Sequence, residues 1–226
     1  MPKLYLLLLL SCVLVSYCYS ETTHIDSLTV KAKLGNAQAQ VDLGLCYWKG
    51  NGTDVNYDLA IEWFRKSAAQ NFASGEFALG GCYYKGEGVE ESRVEAINWF
   101  KKAAEHGDMY AQATLAECYE DTDEGNEGFF DMKEAIKWRL KAADNGHPQS
   151  QYYLGLWYNL GENVPQSAKE SYYWWLLAYE AGNEFVLESI ETVIDHLTPV
   201  EKKEAENKVT KWFATHHADL VYKFPK

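Results

Sequence analysis

The sequence predicts an all-α fold: an α/α solenoid (superhelix) of about four and a half stacked helix-turn-helix repeats, closed by a C-terminal capping helix. Two observations predict it. The first is an internal repeat. Leu43, Leu79, Leu115 and Leu154 fill one slot at spacings of 36, 36 and 39 residues, and Trp63, Trp99, Trp138 and Trp174 fill another at 36, 39 and 36. A period of this length is one supersecondary unit that cannot bury its apolar face alone, so the copies must stack. The second is the pattern within each copy. Apolar and small residues recur at three-four spacing, as one face of a helix requires, and do so twice per copy on either side of a turn.

Residues 1–20 read as a secretory signal peptide: Lys3, an apolar run from Leu4 to Val15 broken by Ser11, then Cys18-Tyr19-Ser20. The run is shorter than the ~20 residues a membrane-spanning helix needs. Export to the periplasm, or secretion, is the expected destination. Residues 21–36 are a polar lead-in and a short capping helix with Leu28, Val30, Ala32 and Leu34, ending at Gly35-Asn36.

Residues 37–183 hold four repeats. In the first, a helix over Ala37–Lys49 carries Ala39, Leu43, Cys46 and Tyr47 on one face. The turn Gly50-Asn51-Gly52 ends it with residues that tolerate left-handed geometry. A second helix over Tyr57–Gln70 turns Leu59, Ala60, Trp63, Phe64 and Ala68 inward. Gly44 sits in mid-helix, where glycine costs ~1 kcal/mol against alanine. Its return as Gly80 and Gly155, with Ala116 in the third copy, points to close approach of a neighbouring helix. The second and fourth copies follow the same plan. The third carries three extra residues in a loop from Glu120 to Asp131.

Residues 184–215 read as a degenerate fifth repeat, with a first helix over Glu184–His196 and a capping helix from Pro199 to about Thr215. Thr198-Pro199-Val200-Glu201 has a cap, a proline in the first position and a glutamate able to reach back. Ala205, Val209, Trp212 and Phe213 fall on the inner face, and charges on the outer one keep the end of the stack soluble. Residues 216–226 form a tail.

These slots resemble the Sel-1-like repeat family, a branch of the tetratricopeptide-like solenoids. The shared marks are Leu43-Gly44…Tyr47, Leu79-Gly80…Tyr83, Leu115-Ala116…Tyr119 and Leu154-Gly155…Tyr158. Second-half marks follow at Ala60…Trp63, Ala96…Trp99 and Ala135…Trp138, and the fourth copy departs with Ser171 before Trp174. The resemblance implies a curved stack used for protein–protein contact. Exported bacterial members are adaptors, host-factor binders or immunity proteins that neutralise a toxin in the periplasm. A cysteine-rich branch, linked to penicillin binding and weak β-lactamase activity, has paired cysteines in each copy. Here there is one per copy, so the match does not extend to that branch. An enzyme acting on β-lactams or cell-wall peptides is the alternative from another class.

Net charge and cysteines narrow the partner. The formal net charge is −12, one more negative without Lys3, which argues against nucleic acid and anionic membrane surfaces and suits a partner with a basic surface. Cys46, Cys82 and Cys118 are 36 residues apart. Equivalent positions in stacked helices lie ~8–10 Å apart, while disulfide Cα atoms lie within about 7 Å. Free, buried thiols are therefore expected.

No catalytic residue, cofactor or metal site is predicted. The acidic loop 120–128 has Gly125 and Asn126 in the reverse of the EF-hand order. It reads as a solvated insertion, or as a contact for a basic partner. His106 and His147 fall in equivalent inter-repeat turns, where helix-end capping is expected. In tetratricopeptide-like stacks the first helix of each unit lines the concave groove. Transferred by position, this makes Asp42, Trp48, Phe77, Tyr84, Tyr110, Glu117, Tyr152, Tyr153 and Asn159 the candidate binding residues. Trp48, Tyr84, Tyr110, Tyr152 and Tyr153 would form an aromatic anchor, since Trp and Tyr dominate interface energetics.

Overall fold

In the computed structural model, which describes residues 25–122 and 129–216, every described secondary-structure element is helical. The signal-peptide reading, loop residues 123–128 and the tail beyond His216 lie outside the described residues. The chain forms two compact units, residues 1–108 and 109–226.

The first unit contains α1 (25–33), α2 (Ala37–Lys49), α3 (Tyr57–Ala68), α4 (Ala73–Lys85) and α5 (Arg93–Glu105). Short polar side chains fix where most of its helices begin. Asn36, Asn56 and Ser92 each accept a hydrogen bond from the backbone N–H three residues on, which satisfies an otherwise orphan donor. Gly50 and Gly86 end α2 and α4 in the left-handed conformation. The second helix predicted to Gln70 stops at Ala68, and Asn71 takes a positive φ in the turn that follows. α2 packs on α3, α4 on α5, and α3 on α4. Leu43, Phe64, Leu79 and Phe100 are buried between them.

The glycine that recurs in mid-helix at 44, 80 and 155 faces an aromatic ring each time. A β-carbon at Gly44, Gly80 or Gly155 would overlap the side chain of Phe64, Phe100 or Trp175. In the first, second and fourth repeats the ring one residue after Trp63, Trp99 or Trp174 thus packs against a bare stretch of the first helix. A second slot ties the two helices together with polar groups. Gln70 Nε2 donates to Gln40 Oε1 at 2.8 Å, His106 Nδ1 lies 2.7 Å from Glu76 Oε2, and Asn145 Nδ2 donates to Gln112 Oε1 at 2.8 Å. Gln40, Glu76 and Gln112 are all buried, so these bonds spare the first three repeats an unpaired polar group in the core.

The second unit contains α6 (Met109–Glu120), α7 (Met132–Asp144), α8 (Pro148–Leu160), α9 (Ala168–Glu180), a 3₁₀ turn (Glu184–Val186), α10 (Leu187–Ile194) and α11 (Pro199–His216). Asp131 caps α7 and Ser167 caps α9. His147 caps α8, accepting from Ser150 N, with Pro148 in the first turn. Burial, aided by nearby Arg139, lowers its pKa, which keeps the ring neutral and able to accept. Capping is thus found at His147. His106 instead spends its side chain on Glu76, because the two residues sit on opposite sides of the turn glycine, in different slots.

The predicted helix over Glu184–His196 is shorter than expected. It opens as a 3₁₀ turn without a side-chain cap and ends at Ile194, short of Pro199, whose ring disfavours helix before it. The start of α11 is as predicted: Thr198 N and Oγ1 both donate to Glu201 Oε2, and Glu201 N donates to Thr198 Oγ1. Ala205, Val209, Trp212 and Phe213 are buried. α11 and α10 both pack on α9, so residues 171–178 of α9 are all buried. Trp212 Nε1 donates to Asp144 O at 2.8 Å, closing a free carbonyl at the end of α7.

Among the described residues, Cys46, Cys82 and Cys118 are in no disulfide. Cys82 and Cys118 are buried as expected, and burial, with the Glu87 carboxylate, pushes the Cys82 thiol up to about 11. Cys46 departs from the expectation and is half-buried: it sits at the edge of the cluster formed by Leu28, Ala32, Leu43 and Trp63, where only the short α1 adds cover.

Candidate functional site

The predicted binding residues are divided between the two units. In the first unit, Asp42 on α2 accepts from Gln38 Nε2 at 2.8 Å. Trp48, at the end of α2, is half-buried. Its Nε1 donates to Glu87 Oε2 at 2.6 Å, and the Lys85 ammonium lies 4.8 Å from its ring centroid. The first repeat's tryptophan is therefore held by the turn of the second repeat. Phe77 is half-buried with its ring 5.5 Å from that of Phe100. Tyr84 is 50% exposed. Of these four, Tyr84 presents most of its ring to solvent.

In the second unit, Tyr110 is 54% exposed and meets the His147 ring edge-on at 5.6 Å. Tyr152 and Tyr153 are half-buried and edge-to-face at 5.6 Å. The Tyr152 carbonyl accepts from Trp175 Nε1 at 3.1 Å. Asn159 is half-buried, and its carbonyl accepts from Gln166 Nε2.

Glu117 is exposed on α6. Partial desolvation of its carboxyl raises the pKa, the Arg139 guanidinium opposes that, and the Glu120 carboxylate adds to it.

Arg139, on α7, was not among the predicted site residues. It is 1% exposed. Its Nε and Nη2 donate to Glu120 Oε1 and Oε2, both at 2.6 Å, the two-pronged geometry that arginine forms with carboxylates. Its guanidinium lies 4.8 Å from the Tyr153 ring and 5.3 Å from the Trp157 ring on α8. A slot comparison would have found it: Phe64, Phe100 and Trp175 stand where Arg139 does, and the facing glycine becomes Ala116 in this copy alone.

Chemically, the predicted residues offer aromatic surface, carboxylates and amides, which suit contact with another polypeptide. Among the described residues no group of His, Cys, Asp and Glu is placed to hold a metal ion, and no helix is long and apolar enough to cross a membrane.

The profile of the family described as Sel1 repeat matches residues 37–72, 73–108, 110–147 and 148–183. The chain belongs to the Sel1 repeat family. Among solved structures it is similar to a Sel1 repeat protein from Oxalobacter formigenes, with 28% identity and a TM-score of 0.70 over 76% of this chain and 49% of that one. It is also similar to c5321, a protective antigen of uropathogenic Escherichia coli strains with an SLR fold. There the identity is 31% and the TM-score 0.67, over 86% of this chain and 41% of that one. The chain thus spans about half the length of these two Sel1 repeat proteins, or less. The immunity protein Pa5087 from Pseudomonas aeruginosa shares the fold, with 18% identity and a TM-score of 0.50 over 89% of this chain and 76% of that one. No curated protein matches the sequence.

Proposed function

We propose that this Sel1 repeat chain is an exported, non-catalytic scaffold that binds another protein through the first helices of its repeats. The observation that carries the reading is the exposure of Tyr84 and Tyr110, 50% and 54%. Both are large rings on first helices, and the core does not need them. Tyrosine is among the residues enriched at the centres of protein interfaces, which makes these two rings the candidate anchors. A partner with a basic surface complements the net charge of −12. The apolar run Leu4–Val15 behind Lys3 supports export.

A toxin is one partner class that this reading admits, and a toxin gene beside this one would specify it. The likeness to Pa5087 supports the scaffold and carries no partner with it.

The test is affinity capture from the native compartment with the full chain and with a Tyr84→Ala/Tyr110→Ala variant. The expected result is a partner lost from the variant with the melting temperature unchanged. Capture that is equal in both would overturn the assignment of these two residues. Mass spectrometry after exposure to β-lactams tests the absence of catalysis, and a covalent adduct on a serine would defeat it.

A further inference from the structure

Arg139 does not suit its slot. The repeat plan calls for a ring there, lying against a glycine on the facing helix, as with Phe64, Phe100 and Trp175. A buried cation is a weak source of stability even when paired. Arg139 is also incompletely satisfied: its Nη1 is buried without an acceptor among the described residues.

What Arg139 holds is the surface of the third repeat. It occupies both carboxylate oxygens of Glu120, which stands in the slot of Trp48, Tyr84 and Asn159. It also backs the Tyr153 ring from below. One turn earlier on α6, Glu117 stands in the slot of Leu45, Gly81 and Leu156. Glu117 is exposed, and its carboxylate makes no hydrogen bond or ion pair with a described residue. Arg139, Glu120 and Glu117 together carry one net negative charge, with the Glu117 carboxylate on the exposed side.

Resting on the protein-binding reading above, we propose that the third repeat selects a single lysine or arginine of the bound protein, with Glu117 as its acceptor and Arg139 as the positioning residue that withholds Glu120. The other repeats carry an apolar residue or glycine in the Glu117 slot, so the selection is confined to this copy.

The test pans a displayed library of random dodecapeptides against the full chain. The wild type is expected to enrich peptides with a basic residue at one fixed position. Glu117→Gln, at an exposed site, is expected to weaken the selected peptide on the order of tenfold. Ala116→Gly/Arg139→Phe restores the glycine–ring pair of the other copies and frees Glu120, so a second basic position should appear among its enriched peptides. A merely structural arginine would give no such gain.

Enriched peptides without a basic position, or binding unchanged by Glu117→Gln, would overturn the proposal and leave the protein-binding reading standing. An unchanged peptide profile in the double variant would overturn the role of Arg139. Enrichment of no peptide by the wild type would overturn both readings. The Glu117 arm decides the matter even where the double variant does not fold.

Discussion

The two units follow one repeat plan and diverge in how they finish it. In the first, α3 and α5 bury a single face. Phe64 and Phe100 lie against Gly44 and Gly80, while Glu62, Arg65, Lys101 and Lys102 remain exposed. Cations on that outer face sit over the repeat tryptophans, with Lys66 4.1 Å from the Trp63 ring and Lys102 3.9 Å from the Trp99 ring. In the second unit the same plan is altered twice. Arg139 replaces the ring in α7, and α9 is covered by α10 and α11, so that it has no outer face along 171–178. α7 keeps the cation, with Lys141 4.3 Å from the Trp138 ring, but in α9 Leu177 stands three residues after Trp174, and Lys208 of α11 lies 3.6 Å from the Tyr173 ring and 5.8 Å from that of Trp174. The difference teaches that the repeat supplies a scaffold, and that departures from it mark where the chain does something other than stack.

The largest expected effect sharpens the contrast in covering. Trp212→Ala should cost about 4 kcal/mol, as truncation of a buried tryptophan does, and should free the Asp144 carbonyl. Hydrogen exchange should show protection lost in α9 and retained in α2–α5. Equal loss in both units would break the comparison.

The glycine–ring pair comes next. Gly80→Ala should cost about 2 kcal/mol in urea denaturation, because the added carbon overlaps Phe100 and overpacked cores are penalised. Ala116→Gly, opposite Arg139, should cost only the ~0.5–1 kcal/mol of helix entropy. If the two changes cost the same, the ring does not explain the glycines.

A smaller effect tests the buried cation. Ala116→Gly/Arg139→Phe should be neutral, or stabilise by about 1 kcal/mol, since buried ion pairs are often matched by apolar packing and Glu120 can turn to water. A large loss would show that Arg139 holds the fold.

The smallest is a pH effect of up to about 1 kcal/mol, the worth of a helix cap. The folded pKa of His147 is lowered, so its contribution is full above the ordinary histidine value of about 6.5. It is lost as pH falls from there through the folded value. His147→Asn keeps a capping acceptor and should remove that part of the pH dependence of unfolding.

Much of the fold was legible because it is local. The first helix of each repeat, the glycine that ends three of them and the Thr198–Glu201 box all rest on contacts a few residues apart. The candidate site was only partly legible. Tyr84 and Tyr110 were reachable by transferring a face from slot to slot. The restraint of Trp48 by Glu87 was not, because its partner is 39 residues away in the next copy. Arg139 could have been read from its slot, but its grip on Glu120 could not.

By itself the sequence determined the repeat, the helix pairs, their caps and the slots that meet within a copy, since those follow from backbone propensity and a periodic apolar pattern. Only the tertiary structure decided that α11 lies on α9 and seals the end of α7, and that Glu120 turns inward to Arg139 while Glu117 is left to solvent. Those outcomes depend on which of several compatible partners packs closest, a choice made by volume and charge across residues far apart in the chain.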